Sequence, residues 1–205
     1  MIIRPTLGFV ARLAGLALLL GACAQTEPSR FYTLTPMAEA ETGNSSGGRL
    51  SIGVGPVDLP EHLNRPQIVT RSSANQFDLA EFDLWAEPLD ETFARVLGEN
   101  LSSLLGTDRV SVFPWSGATP IDYQVTVKVI RFDRDSAGVS WLITRWSVLR
   151  DDGAELLTTR KSTFQERVRP LDYPTTVAAM GNTLTAFSRE IAAAIRKLVR
   201  PAPSS

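Results

Sequence analysis

The 205-residue chain has a single cysteine, Cys23, a single histidine, His62, and almost no net charge, with 21 Lys and Arg against 22 Asp and Glu. Each scarcity excludes something. One Cys and one His cannot build a Cys/His metal cluster or a disulfide framework. Balanced charge argues against a nucleic-acid partner, because counterion-driven binding needs a clustered excess of Lys and Arg. No Gly-x-Ser-x-Gly nucleophile elbow occurs, and His62 lies in a loop-like stretch, Pro60 to Pro66. A solvated or locally hydrogen-bonded His62 is the simpler reading than a catalytic base. No repeat with a period of about 20 to 50 residues is visible, which argues against solenoids and propellers.

What is present starts at the N-terminus. Residues 1–22 carry Arg4 and Arg12 as their only charges, and Leu13 to Leu20 is an unbroken apolar run. It is far shorter than the roughly 20 apolar residues that cross a bilayer, so it reads as an export signal rather than an anchor. The run ends Leu20-Gly21-Ala22-Cys23, which resembles the lipobox of bacterial lipoproteins. The resemblance implies cleavage between Ala22 and Cys23 and diacylglyceryl and N-acyl lipid on Cys23, with no other cofactor expected. Each buried methylene contributes about 0.8 kcal/mol, so one chain anchors only marginally and two or three anchor stably. Residue 24 is Ala, not the Asp associated with inner-membrane retention. In a Gram-negative bacterium this favours the periplasmic face of the outer membrane.

From 24 to 48 apolar periodicity is lost, and the stretch ends Thr42-Gly-Asn-Ser-Ser-Gly-Gly48. It reads as a linker behind the lipidated residue; about 25 flexible residues span roughly 25 to 30 Å. One island interrupts it, Phe31-Tyr32-Thr33-Leu34, too apolar to be left in water. It is expected to dock on the domain or on a partner.

The domain proper is expected over 49–200, with a tail at 201–205. Leu50 to Val57 alternates as a strand, and 67–71 with 75–79 form a hairpin about Ser72-Ser73-Ala74. A helix follows from about Pro88, with Leu89, Phe93, Val96, Leu97, Leu101, Leu104 and Leu105 at helical spacing and Gly106 as its stop. Strands at 109–113, 121–132, 139–149 and 155–167 are separated by Gly-containing turns, the last three as an antiparallel meander. A final helix begins near Pro174, its stripe running Met180, Leu184, Phe187, Ile191, Ile195 and Leu198. The expectation is an α+β fold, a mostly antiparallel sheet with two amphipathic helices packed on one face.

Candidate chemistry is thin. The carboxylates Asp78, Glu81, Asp83, Glu87, Asp90 and Glu91 could pair for glycosidic cleavage, but their spread over a loop and a helix start better suits a solvated face. Ile52-Gly-Val-Gly-Pro56 lacks the third glycine of a dinucleotide loop and no helix follows it. Of Trp85, Trp115, Trp141 and Trp146, core packing is the default for most; Trp141 and Trp146 are an odd number apart on one strand and should face opposite sides. No catalytic constellation is found, and the chain is not expected to be an enzyme.

Three stretches together resemble a family. Phe31-Tyr32-Thr33-Leu34, the block Ile52 to Pro60 running into Leu63 to Arg71, and Trp85-Ala-Glu-Pro-Leu89 are similar to the PqiC/YmbA group of ABC-type transport auxiliary lipoproteins. The resemblance implies a non-enzymatic outer-membrane lipoprotein that docks the MCE-domain subunit of an intermembrane lipid transport system and supports envelope integrity. It implies no nucleic-acid partner, and a homo-oligomer would suit a multimeric partner. Phe31, Tyr32, Leu34 and Trp85 are the candidate partner-binding residues, weighed against packing within the chain. The alternative function is a periplasmic carrier that binds lipid in its own apolar groove.

Overall fold

A computed structural model describes residues 27–38, 50–115, 120–151 and 153–199. Among the described residues eight strands form one sheet: β1 Arg30–Tyr32, β2 Ile52–Asp58, β3 Gln67–Ser73, β4 Gln76–Trp85, β5 Val110–Val112, β6 Tyr123–Asp135, β7 Val139–Arg150 and β8 Glu155–Arg167. The helices are α1, Leu89–Leu105, and α2, Tyr173–Val199. The sheet forks at β6. One edge of β6 pairs with β7, which pairs with β8, both antiparallel as the turn spacing predicts. The other edge takes β2 along its first half and β3 at its end, both parallel. From there β3 leads through β4 to β1, and β2 leads to β5. The long ladders are antiparallel, while the pairings of β1, β2, β5 and the end of β3 are parallel. The sheet is therefore mixed, a refinement of the expectation, because the α1 crossover returns the chain parallel to β2.

Both helices pack on the same face. In α1, Leu89, Phe93, Val96, Leu97 and Leu101 are buried, and Gly106 ends the helix in the left-handed region (φ 64°), its N–H donating to the Ser102 carbonyl. The start of α2 is capped by Asp172, whose carboxylate accepts the Thr175 N–H at 2.8 Å. Its stripe runs from Val177 through Ile195; Leu198 is exposed, because the helix has passed the edge of the core by its last turn. Phe187 sits at the centre, with the rings of Phe93, Trp146 and Phe164 at 6.4, 6.1 and 6.0 Å.

Strand β6 carries a bulge that a strict period of two misses. Val125, Val127 and Val129 face the helices, then the register slips, with Val129 opposite Thr144 but Arg131 opposite Ile143. Ile130 is the extra residue and is exposed. Beyond it Phe132 faces the core, and Arg131 and Asp133 point to the other side.

Several expectations lie outside the described residues: the signal segment 1–22 with Ala22 and Cys23, residues 24–26 and 39–48 of the linker, the two ends of the expected domain at 49 and 200, and the tail 201–205.

Candidate functional site

The N-terminal island is part of the fold. Arg30–Tyr32 pairs in parallel with Asp83–Trp85 at the free edge of β4. Three residues of ladder are too little to hold an edge, and side chains supply the rest. Arg30 grips the Asp83 carboxylate with two bonds, Nε to Oδ1 at 2.7 Å and a terminal nitrogen to Oδ2 at 2.8 Å, and the Tyr32 hydroxyl donates to Oδ1 at 2.7 Å. The Arg30 bonds hold the Asp83 carboxyl below its ordinary value despite burial, and Asp83 in turn keeps the guanidinium charged. Burial pushes the Tyr32 hydroxyl up. Two residues on, Leu34 is buried in the core, and the Met37 N–H donates to Oδ1 of Asn100 at 2.8 Å. Asn100, wholly buried on α1, uses its amide nitrogen to reach Ser188 Oγ on α2 at 3.1 Å. One polar side chain thus ties the N-terminal segment to both helices.

The four candidate contact residues separate accordingly. Leu34 and Trp85 are buried in the chain's own core, and Tyr32 is half-buried over Asp83. Phe31 alone presents most of its side chain to solvent, at 66% exposure. It stands in register with half-buried Leu84, on the strand face opposite Asp83. The stretch expected as a linker over 24–48 therefore contains a piece of the domain, because Leu34 and the Arg30–Asp83 pair fix its middle. Neither the Asp83 staple nor the Asn100 bridge is signalled by periodicity. The local hint is the apolar island Phe31-Tyr32-Thr33-Leu34, expected to dock on the domain or on a partner.

The glycine pair in β2 serves close packing. A Cβ on Gly53 would meet the Trp115 ring at 3.0 Å, and one on Gly55, at φ 121°, would meet Cβ of Phe113 at 2.7 Å. The Phe113-Pro114-Trp115 segment thereby lies against β2, and Phe113 and Pro114 with Pro56, Val57 and Val112 form one wall of an open cleft of about 770 Å³. The other wall is the start of α1, with Glu87, Asp90, Glu91 and Arg95. Arg95 reaches Glu99 at 3.1 Å and Glu87 at 3.4 Å. The acidic cluster is thus divided: Asp83 is neutralised inside the β1 staple, Asp78 and Glu81 are exposed on β4, and Glu87, Asp90 and Glu91 line the cleft.

On the sheet face away from the helices, buried Asp133 accepts from Arg131 Nε at 2.8 Å and from Arg71 at 3.3 Å. Arg131 lies 4.8 Å over the Trp141 ring, whose N–H donates to Asp135 at 2.7 Å. Burial pushes the Asp135 carboxyl up, but the bonds from Val139 and Trp141 and the charge of Arg131 leave it below its ordinary value. Trp146 faces the other way, into the core, where its N–H donates to Ser162. The opposite orientation of these two tryptophans is as the spacing predicts. Trp85 is also core, whereas Trp115 and Trp141 are half-buried. His62 stacks on Phe77 with centroids 4.4 Å apart; burial and the charge of Arg71 lower its pKa, and its Nε2 has no partner. No hydroxyl nucleophile is hydrogen-bonded to it, so no triad forms among the described residues. No group of three or more His, Cys, Asp or Glu among the described residues could hold a metal ion, and no described helix is long and apolar enough to cross a membrane.

Residues 32–192 match the family described as the ABC-type transport auxiliary lipoprotein component. The chain is 33% identical over 91 residues to the intermembrane transport lipoprotein PqiC of Escherichia coli K12, and equally to that of Shigella flexneri. The aligned part is 43% of this chain and 48% of PqiC, so the chain spans about half the length of the curated relatives it matches. Among solved structures, protein XCC0632 of Xanthomonas campestris shares the fold at a TM-score of 0.66 and 16% identity, over 83% of this chain and all of that one. An uncharacterised protein does so at 0.68 and 22% identity, covering 82% and 99% of the two chains. The family match over residues 32–192, from the last residue of β1 through the glycine-bearing β2 and α1 into α2, places this chain among the ABC-type transport auxiliary lipoproteins.

Proposed function

We propose that the chain is the lipid-anchored outer-membrane subunit of an MCE-type intermembrane lipid transport system. Acylated Cys23 holds it on the periplasmic face, and its domain docks the MCE-domain subunit that spans the periplasm, in support of envelope integrity. It catalyses no reaction, and a homo-oligomer would match a multimeric partner. The observation that carries this reading is the family match over residues 32–192, joined to a lipobox placed directly before the domain. The relative named an intermembrane transport lipoprotein supports it over part of the chain. Chemistry disfavours the carrier alternative at the cleft beside α1: three carboxylates line it against one arginine, Arg95, and the excess of negative charge repels a phospholipid phosphate.

Mild-detergent purification of the tagged, full-length lipoprotein from its own membranes tests the proposal. Enrichment of an MCE-domain protein is the expected result. Recovery of the protein alone, with stoichiometric lipid beyond its own acyl chains, would favour the carrier instead. Cys23→Ser should release a folded domain from the outer membrane; retention of that variant there overturns the anchoring part.

A further inference from the structure

The docked β1 strand shortens the tether. If all of 24–48 were free, the contour from Cys23 to the domain would be about 85 Å at 3.4 Å per residue. Arg30 is fastened to Asp83, so only seven Cα–Cα steps separate Cys23 from the fold. Whatever conformation those residues take, they reach at most about 25 Å. A domain of this size is roughly 40 Å across. A tether that short keeps β1 within about 25 Å of the anchor, well inside the depth of the body, and the residues where it ends decide which side turns to the membrane.

The residues where the tether ends suit such a position. Phe31 is 66% exposed, and its register partner Leu84 and the residue two before it, Phe82, are half-buried on the same strand face. Phe31 is an exposed aromatic that the core does not use, whereas Arg30 and Tyr32 beside it are both committed to Asp83. Of the charges along this edge, Glu27 and Glu81 are exposed and acidic, and Arg30, itself half-exposed, is paired with Asp83. Attraction to anionic headgroups therefore does not drive the contact, and the contact depends on the acyl anchor with apolar insertion.

We infer that the β1–β4 edge is the membrane face of the domain, with Phe31 seated at the headgroup level of the bilayer that holds Cys23. The inference rests on acylation of Cys23 and deepens that reading by fixing the orientation of the domain. The β8 edge then faces away from the bilayer, five strand spacings or about 24 Å along the sheet from β1.

Site-directed spin labelling tests it with the full-length lipoprotein. Its only cysteine is consumed by acylation, so Phe31→Cys or Lys161→Cys introduces a unique thiol. The labelled proteins are reconstituted in vesicles of phosphatidylethanolamine and phosphatidylglycerol, and flotation is scored first. Failure to float overturns the anchoring reading itself. In floated protein, the ratio of oxygen to nickel-chelate accessibility should be severalfold higher at position 31 than at position 161 on β8. Equal, water-like ratios in floated protein overturn the membrane-face inference and leave the anchor intact. A label at Thr33, also exposed, repeats the measurement if Phe31→Cys folds poorly, and a water-like ratio there counts equally against the inference.

Discussion

Two of the three ends of the forked sheet, β8 and β1, are closed by different means. At one end, β7 and β8 run together for a dozen residues in an antiparallel ladder, with Leu142, Trp146 and Val148 buried under α2. Its free edge carries Arg160, Lys161, Glu166 and Arg167, the kind of charge that discourages edge pairing. At the other end β1 is three residues long and depends on one carboxylate, one buried leucine and one asparagine bridge. The first end is held by many similar contributions and the second by a few specific ones. Damage at β7 should therefore spread through the domain, and damage at β1 should stay local.

The largest effect is expected at the ladder end. Trp146→Ala removes a ring packed at 6.1 Å against Phe187 and strips Ser162 of its indole partner. Urea unfolding should show a loss of about 3 to 5 kcal/mol. A smaller loss would mean that β7 and β8 do not belong to the same cooperative unit as the helices. At the β1 end, Leu34→Ala should cost less, about 2 to 3 kcal/mol, because the segment around the cavity can relax. Amide exchange at Tyr32 and Ala86 should accelerate more than exchange in β7, and a uniform rise across all strands would contradict the local character of this end.

The contrast also sets what the sequence discloses. The stripes Leu89 to Leu105 and Met180 to Ile195, and the alternation Val125, Val127, Val129, repeat the period of their element, and so both helices and the meander are legible. The bulge at Ile130 is not, since an extra residue inverts the faces without altering local composition. Nor is the docking of β1: Arg30 meets Asp83 across 53 positions and Asn100 meets Ser188 across 88. Pairings at such distance leave no local period. Phe31-Tyr32-Thr33-Leu34 stands out as apolar, but one stretch contains a core leucine, a half-buried tyrosine and an exposed phenylalanine, which composition does not separate.

Asp83→Asn sharpens the comparison further. It keeps the shape but removes the charge that Arg30 and Tyr32 engage, so β1 should open while the urea midpoint moves less than for Leu34→Ala. Acid should do the same to the wild type. The folded carboxyl titrates below its ordinary value near 3.8 because Arg30 favours the ionised form. Its contribution is thus complete above that value and is lost as pH falls through the lower folded pKa. Exchange of the Ala86 amide, which donates to the Tyr32 carbonyl, should rise in that acidic window after correction for intrinsic rates. The step should vanish in Asp83→Asn, and its persistence would assign the titration to another carboxyl.

The smallest effect on folding belongs to Phe31→Ser, within about 0.5 kcal/mol either way, since a mostly exposed side chain leaves little surface to uncover. Its consequence should appear only on a bilayer. With the acylated wild type, vesicle binding should slow exchange at Phe31 and Thr33, whereas Phe31→Ser should float equally well through its acyl chains and lose that slowing. Two residues of one tripeptide would then have opposite signatures: Tyr32 holds the strand to the domain with or without lipid, and Phe31 matters only where the tether brings it to the membrane. Protection that survives in Phe31→Ser would mean that tether length alone presses the edge to the surface, with no insertion of the ring.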